Sequence, residues 1–193
     1  NEPAERDQAL QHLRRGVERA TRLISQMLTL ARLADDQQRQ RVPVALLQSC
    51  RDAVAELLPL ALRRDQELEL VSDGSLPEQV EMEPGSLGML LQNLVGNAIQ
   101  HTPDGGRILI SLQQQADQLV LRVEDSGSGV APADRERLLE RFHTQGNSQG
   151  AGLGLSIVQR IIERHQGSLL LGDSPLGGLL VQASFPLGTP VSG

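Results

Sequence analysis

Leu10, Leu13, Val17, Ala20, Ile24, Met27, Ala31 and Ala34 recur at alternating steps of three and four. That is the seam of a helix that packs on other helices, and the spacing predicts one long helix over residues 5–35. Leu23, Leu28, Leu30 and Leu33 widen the stripe beyond a two-helix seam, which points to a four-helix arrangement. The partner helix is not in this sequence, so another copy or the rest of the chain must cover the stripe. The polar break "ADDQQRQR" at 34–41 ends this segment.

After that break the period changes. "RVPV" reads as a short edge strand, and residues 45–64 are helical by periodicity, with Pro59 expected to bend or split the helix. "ELELVS" and "QVEME" alternate as strands on either side of "DGSLP". "EPGSLGMLLQNLVGNAIQH" is a helix opened by a Pro-Gly-Ser turn and ended before Pro103. "RILISLQQQ" and "QLVLRVED" form a hairpin through Ala116 and Asp117, and a short helix over 132–140 follows a glycine-rich stretch. "GLGLSIVQRIIERHQG" is a helix stopped by Gly167, and "SLLLGD" with "GGLLVQASFPL" closes on another hairpin. Strands, several in hairpins, interspersed with helices predict an α+β fold: a two-layer α/β sandwich in which helices cover a mixed sheet. The expected organisation is a helical segment over 1–36, a linker over 37–43, the sandwich over 44–189 and a tail over 190–193.

Composition narrows the function. Only Phe142 and Phe185 are aromatic, so a base-binding pocket must have aliphatic walls, which argues against stacking platforms for single-stranded nucleic acid. No Lys occurs, which removes P-loop lysine chemistry and Schiff bases. Residues 1–41 hold eight Arg against six carboxylates, so the remainder of a chain of net charge −6 carries −8. A sandwich so acidic argues against direct nucleic-acid binding. Cys50 is the only cysteine, so no internal disulfide forms and the thiol is read as core. No apolar run is long enough to span a membrane and no signal peptide is visible. The four histidines show no metal-ligand spacing.

Three polar clusters interrupt the sandwich. Asn93 and Asn97 lie one turn apart on an otherwise aliphatic helix and point the same way; buried amides need partners, from the protein or from a ligand. Asp125 ends a strand and is followed by Gly127 and Gly129 in "DSGSG". A carboxylate there can accept an exocyclic amine such as that of adenine, while the glycines let backbone approach a ligand. "GAGLGL", 150–155, runs straight into a helix, whose N-terminal N–H groups suit phosphate oxygens. An amide carbonyl such as that of Asn97 can serve Mg²⁺, a hard ion that bridges phosphates. Each cluster alone has an ordinary structural explanation as a helix bridge, a turn or a glycine-rich helix start.

In order and spacing, "NLVGNAIQHT", "DSGSGV", "ERF" and "GAGLGLSIVQRIIERHQG" resemble the N, G1, F and G2 boxes of the ATP-binding domain of bacterial sensor histidine kinases. The likeness covers roughly residues 43–187, while "RATRLISQMLTLARL" resembles the second helix of their dimerisation and phosphotransfer domain. "GLGLSIVQRI" is most similar to membrane sensors that respond to polymyxin, metal or quorum signals. The resemblance implies a Bergerat-type ATP-binding fold with ATP and Mg²⁺ as cofactors. It implies that Asn97 coordinates Mg²⁺ and Asn93 sits beside the triphosphate. Asp125 would bond the adenine in a pocket shaped by Gly127 and Gly129, with His101 at its rim. Gly150, Gly152, Leu153, Gly154 and Leu155 would carry the phosphate-facing loop, residues 130–151 a lid, Phe142 its anchor, and Arg141 charge near the phosphates. Asn93 and Arg141 would thus serve the transfer itself. The family's partners would be a response regulator receiver domain, with Arg14, Arg15, Arg19 and Arg22 on the docking surface, and a second copy through the helical domain. The implied location is the cytoplasmic portion of an inner-membrane sensor.

The sequence departs from the family pattern at Gln100 and Thr144, where a cation is usual. Losing one such contact costs about 2–4 kcal/mol in the transition state by analogy with a deleted electrostatic donor, so Arg137, Arg141 or another Arg must substitute or transfer is slow. The family's phospho-accepting histidine box is absent, and His12 lies outside any such motif, so the chain reads as an excised fragment. Two other readings remain open: a degenerate nucleotide-binding regulator without kinase activity, and an ATPase of the same fold. The ATPases carry a Glu as general base where Asn93 stands here. A dimerisation unit resting on the first helix alone would leave the glycine boxes unexplained.

Overall fold

The computed structural model describes residues 40–138 and 154–187, with residues 16, 17, 20, 21, 24 and 27–29 of the N-terminal segment. Those N-terminal positions are all helical, as the seam predicts. Val17, Ile24, Met27 and Leu28 are each more than half exposed, so these four apolar side chains are uncovered in the single chain.

The strands β1 (Val42–Ala45), β2 (Glu67–Ser72), β3 (Gln79–Met82), β4 (Arg107–Gln115), β5 (Gln118–Asp125), β6 (Ser168–Asp173) and β7 (Leu179–Pro186) form two sheets. β1 pairs antiparallel with β3 in a small ribbon, while the main sheet runs β2-β4-β5-β7-β6, antiparallel except for the β2–β4 pair. The helices are α1 (Leu46–Leu62), α2 (Ser86–His101), α3 (Pro132–Leu138) and α4 (Gly154–Arg164). α1, α2 and α4 pack side by side over one face of the main sheet. The fold is the expected mixed sheet covered by helices.

Alternation explains why there are two layers and not three. Ile108, Ile110 and Leu112 of β4 and Leu119, Leu121 and Val123 of β5 point at the helices and are buried. On the opposite face Arg122 donates to Gln182 at 2.8 Å and to Gln113 at 3.2 Å, a polar ladder that water can cover. α2 buries Leu87, Leu90, Leu91, Leu94, Val95, Ala98 and Ile99, most of its circumference, because α1 and α4 flank it. Cys50 is buried in α1, where desolvation pushes its thiol up to about 12; it is core, not nucleophile.

Two local expectations gain their geometry. Of the bend or split expected at Pro59, the split does not occur: α1 runs unbroken to Leu62 with the exposed proline inside it. The helix α4 closes at Gly167 as expected, with Gln166 as the left-handed residue, at φ 56°. The Gly167 N–H returns to the Ile162 carbonyl at 2.9 Å, a Schellman closure. Glycine is required at 167 for space: a Cβ there would stand 2.4 Å from the Ser184 carbonyl oxygen.

Candidate nucleotide site

Asp125 is placed by strand alternation. It continues the Leu119, Leu121, Val123 face of β5, so its carboxylate turns toward the helical layer at the sheet's end, only 6% exposed. There Oδ1 accepts two main-chain N–H groups, from Gly127 at 2.8 Å and from Leu179 at 3.2 Å. No group among the described residues hydrogen-bonds Oδ2. The carboxylate is therefore anchored on one oxygen and available on the other.

Gly127 is glycine because two walls meet at it. A Cβ there would lie 2.6 Å from the His101 carbonyl oxygen, at the end of α2, and 2.9 Å from Asp125 Oδ1. Gly129 adopts φ +65°, a left-handed conformation, and faces the Gly178 carbonyl oxygen. The loop after β5 thus closes against both the C-terminus of α2 and the turn between β6 and β7.

Asn93 and Asn97 are half-buried on the flank of α2 that faces the start of α4. A Cβ at Gly154 would stand 3.1 Å from Asn97 Nδ2, 3.2 Å from its Oδ1 and 3.4 Å from Asn93 Oδ1. The first residue of α4 therefore rests directly on the amide pair. Asn93 Nδ2 donates to the Met89 carbonyl at 2.8 Å, which leaves its oxygen toward Gly154. No described residue hydrogen-bonds the Asn97 amide, so both of its polar atoms remain available to a ligand. Asn97 and His101 are one helical turn apart, about 6 Å along the axis, so α2 links the amide end of the site to the Asp125 end.

The C-terminus of α2 is held from below. Gln66, buried, donates to the Ile99 carbonyl at 3.1 Å and to that of Thr102 at 2.8 Å, and the Arg64 guanidinium reaches the carbonyls of Ile99 and Gln100. The N-terminal end is held by Glu83, whose carboxylate pairs with Arg164 of α4 at 2.9 Å in a contact where both side chains are about nine-tenths buried. His165 completes this contact: its Nε2 accepts the Glu83 N–H at 3.1 Å while Nδ1 faces the Ile161 carbonyl at 2.8 Å. Burial holds its pKa below the ordinary 6.5.

The structure thus brings Asn93, Asn97, His101, Asp125, Gly127, Gly129, Gly154 and Leu155 to one edge of the helical layer, His101 being exposed and Leu155 half-buried. Arg137, Arg141, Phe142, Thr144, Gly150, Gly152 and Leu153 lie outside the residues whose side chains are described. Arg135 of α3 is already engaged, with Asp173 and with the Val130 carbonyl. Sequence reasoning missed Gly178 and Leu179 because they act through the main chain, and Gln66 and Arg64 because they serve the end of a helix 33 to 36 residues further along the chain. The described residues hold no cluster of His, Cys, Asp and Glu suited to a metal, and none of their helices is long and apolar enough to cross a membrane.

A buried carboxylate with one oxygen unbonded by the described residues, an amide pair beneath a helix N-terminus and glycines at the close approaches stand together in a domain whose class the family match gives: a nucleotide-binding ATPase domain. Residues 82–189 match the profile of the histidine kinase-, DNA gyrase B- and HSP90-like ATPases, and the chain belongs to that family. It is similar to the sensor protein kinase PmrB of Pseudomonas aeruginosa, 37% identical over 98% of this chain and 40% of that protein. Sensor protein QseC of Escherichia coli K12 is 32% identical over 96% of this chain and 41% of its own length. Among solved structures, full-length ShkA in complex with AMPPNP superposes with a TM-score of 0.77 at 28% identity, over 88% of this chain and 36% of that one. The chain spans about 40% of the length of these curated relatives.

Proposed function

We propose that this chain is the ATP-binding catalytic portion of a sensor kinase that transfers the γ-phosphoryl group of ATP to a histidine outside residues 1–193, for relay to an aspartate of a response regulator. The observation that carries the reading is Gly154 seated on the Asn93–Asn97 pair, one helical turn from the loop that anchors Asp125. The free Asp125 oxygen accepts the adenine amine, and the aliphatic surroundings match a pocket without aromatic walls. The start of α4 meets the phosphates with N–H groups that no helical carbonyl satisfies.

Asn97 fits Mg²⁺: a carboxamide oxygen is a hard donor, and its amide has no competing partner among the described residues. The ion, when bound, neutralises charge on the phosphates. Asn93 cannot act as a general base, since an amide does not take up a proton at neutral pH, so water activation is unsupported at that position and transfer to a protein acceptor is favoured over hydrolysis. Arg141 and Phe142 belong to the lid in this reading. The parent protein is a membrane sensor that dimerises through the helical segment, with this portion facing the cytoplasm and docking a receiver domain.

The test supplies the missing helix in trans. A fragment carrying a first phosphotransfer helix, incubated with this chain and Mg-ATP, gains phosphate that is stable to base and labile to acid. Labelling that is absent, or stable to acid, contradicts the kinase reading.

A further inference from the structure

The β6–β7 turn does more for Asp125 than close a hairpin. Leu179 N–H donates to Oδ1 at 3.2 Å and Gly178 N–H to the Asp125 carbonyl at 3.0 Å, so consecutive residues of one turn hold both the side chain and the main chain of the same residue. Gly178 is not in the left-handed region; it is glycine for space, because a Cβ there would fall 2.0 Å from Asp125 Oδ1 and 2.5 Å from the Gly127 nitrogen. The turn is itself cross-braced: Ser174 N–H donates to the Gly178 carbonyl and Gly177 N–H to that of Ser174, both at 2.9 Å. Asp173, at its base, pairs with Arg135 of α3, whose Nε donates to the Val130 carbonyl at 3.1 Å.

We propose that the β6–β7 turn, through Gly178 and the Leu179 N–H, is a specificity-determining element that locks Asp125 with Oδ2 presented to a 6-amino purine. The inference rests on the nucleotide reading above and adds the residues that set its discrimination. A carboxylate whose Oδ1 is saturated by two N–H donors cannot rotate to relieve a mismatch without leaving both donors buried and unpaired. A 6-oxo purine turns a carbonyl oxygen toward Oδ2, acceptor against acceptor, and the locked side chain has no alternative orientation to offer. Gly178 and Leu179 are positioning residues, since they act through Asp125.

ATP and ITP differ only in the 6-substituent and in the proton that the 6-oxo form carries on N1, so the ratio of their dissociation constants reads this lock. Titration calorimetry of the 193-residue chain with each nucleotide and Mg²⁺ should show wild-type protein favouring ATP by about a hundredfold. Gly178→Ala should weaken ATP about tenfold, leave ITP within threefold of its wild-type value, and so shrink the ratio. Leu179→Pro removes the N–H at the first residue of β7, a position that tolerates proline, together with part of the core packing of the leucine side chain, a loss common to both nucleotides; the ATP to ITP ratio should still shrink, and this variant carries the test if Gly178→Ala does not fold. A parallel loss for both nucleotides, or an unchanged ratio in a folded variant, overturns the proposal while leaving the nucleotide reading intact. Wild-type protein that binds neither nucleotide overturns both.

Discussion

Replacing Asp125 separates its structural role from its ligand role. Asp125→Ala strips the acceptor from the Gly127 and Leu179 N–H groups in a site where the carboxylate is only 6% exposed. Each buried donor left unpaired costs about 1–3 kcal/mol, so the nucleotide-free variant, with two such donors, should lose about 2–6 kcal/mol. In a domain of this size that lowers Tm by about 5–15 °C. Asp125→Asn retains a carbonyl oxygen at the Oδ1 position and both main-chain bonds, losing only their charge assistance, so its Tm should fall by no more than about 4 °C. Both variants should nevertheless lose ATP: in Asp125→Asn the amide nitrogen opposes the adenine amine, donor against donor, at a cost of about 3 kcal/mol or roughly a hundredfold in Kd. Scanning calorimetry of the nucleotide-free proteins and titration with Mg-ATP check the two halves. Equal Tm values for Asp125→Ala and Asp125→Asn would refute the main-chain clamp, and undiminished ATP affinity in Asp125→Asn would refute the adenine contact.

Gly154→Ala places a methyl 3.1–3.4 Å from the two amides and should displace Asn97, weakening Mg-ATP about tenfold by calorimetry while Tm stays within about 2 °C, because alanine favours the helix. Arg164→Ala strands Glu83 as a buried, uncompensated carboxylate and should cost about 3–5 kcal/mol by urea denaturation, most of it regained when Glu83→Gln is added. His165 is held below its ordinary pKa by burial, so the native state binds fewer protons than the unfolded chain; its contribution is fully present above pH 6.5 and is lost as pH falls below that value. The urea midpoint should therefore drop between pH 7.5 and 5.5 more steeply in wild type than in His165→Gln, and parallel curves would remove His165 from the account.

Periodicity made most of the fold legible. The aliphatic stripes of α2 and α4, the alternation in β4 and β5 and the turn residues between them are local signals, and each element lies where its pattern puts it. Sheet order was not legible: β2 and β3 flank one turn yet join different sheets, because β2 finds its partner in β4 and β3 in β1, strands distant in sequence or on the far side of a helix. In the site, side-chain chemistry showed through as Asn93, Asn97 and Asp125. What holds those residues did not, because the Leu179 N–H, the gap at Gly178 and the Gln66 and Arg64 cap act from elements distant in sequence.

The central claim is that one ligand spans Asp125 at its purine and Asn97 at its phosphates. The most direct measurement is titration calorimetry of the 193-residue chain with AMPPNP, with and without Mg²⁺. One saturable site per chain is expected, tightened by the ion in wild type and indifferent to it in Asn97→Ala. No saturable heat at millimolar nucleotide, or an ion effect that survives in Asn97→Ala, would contradict the account.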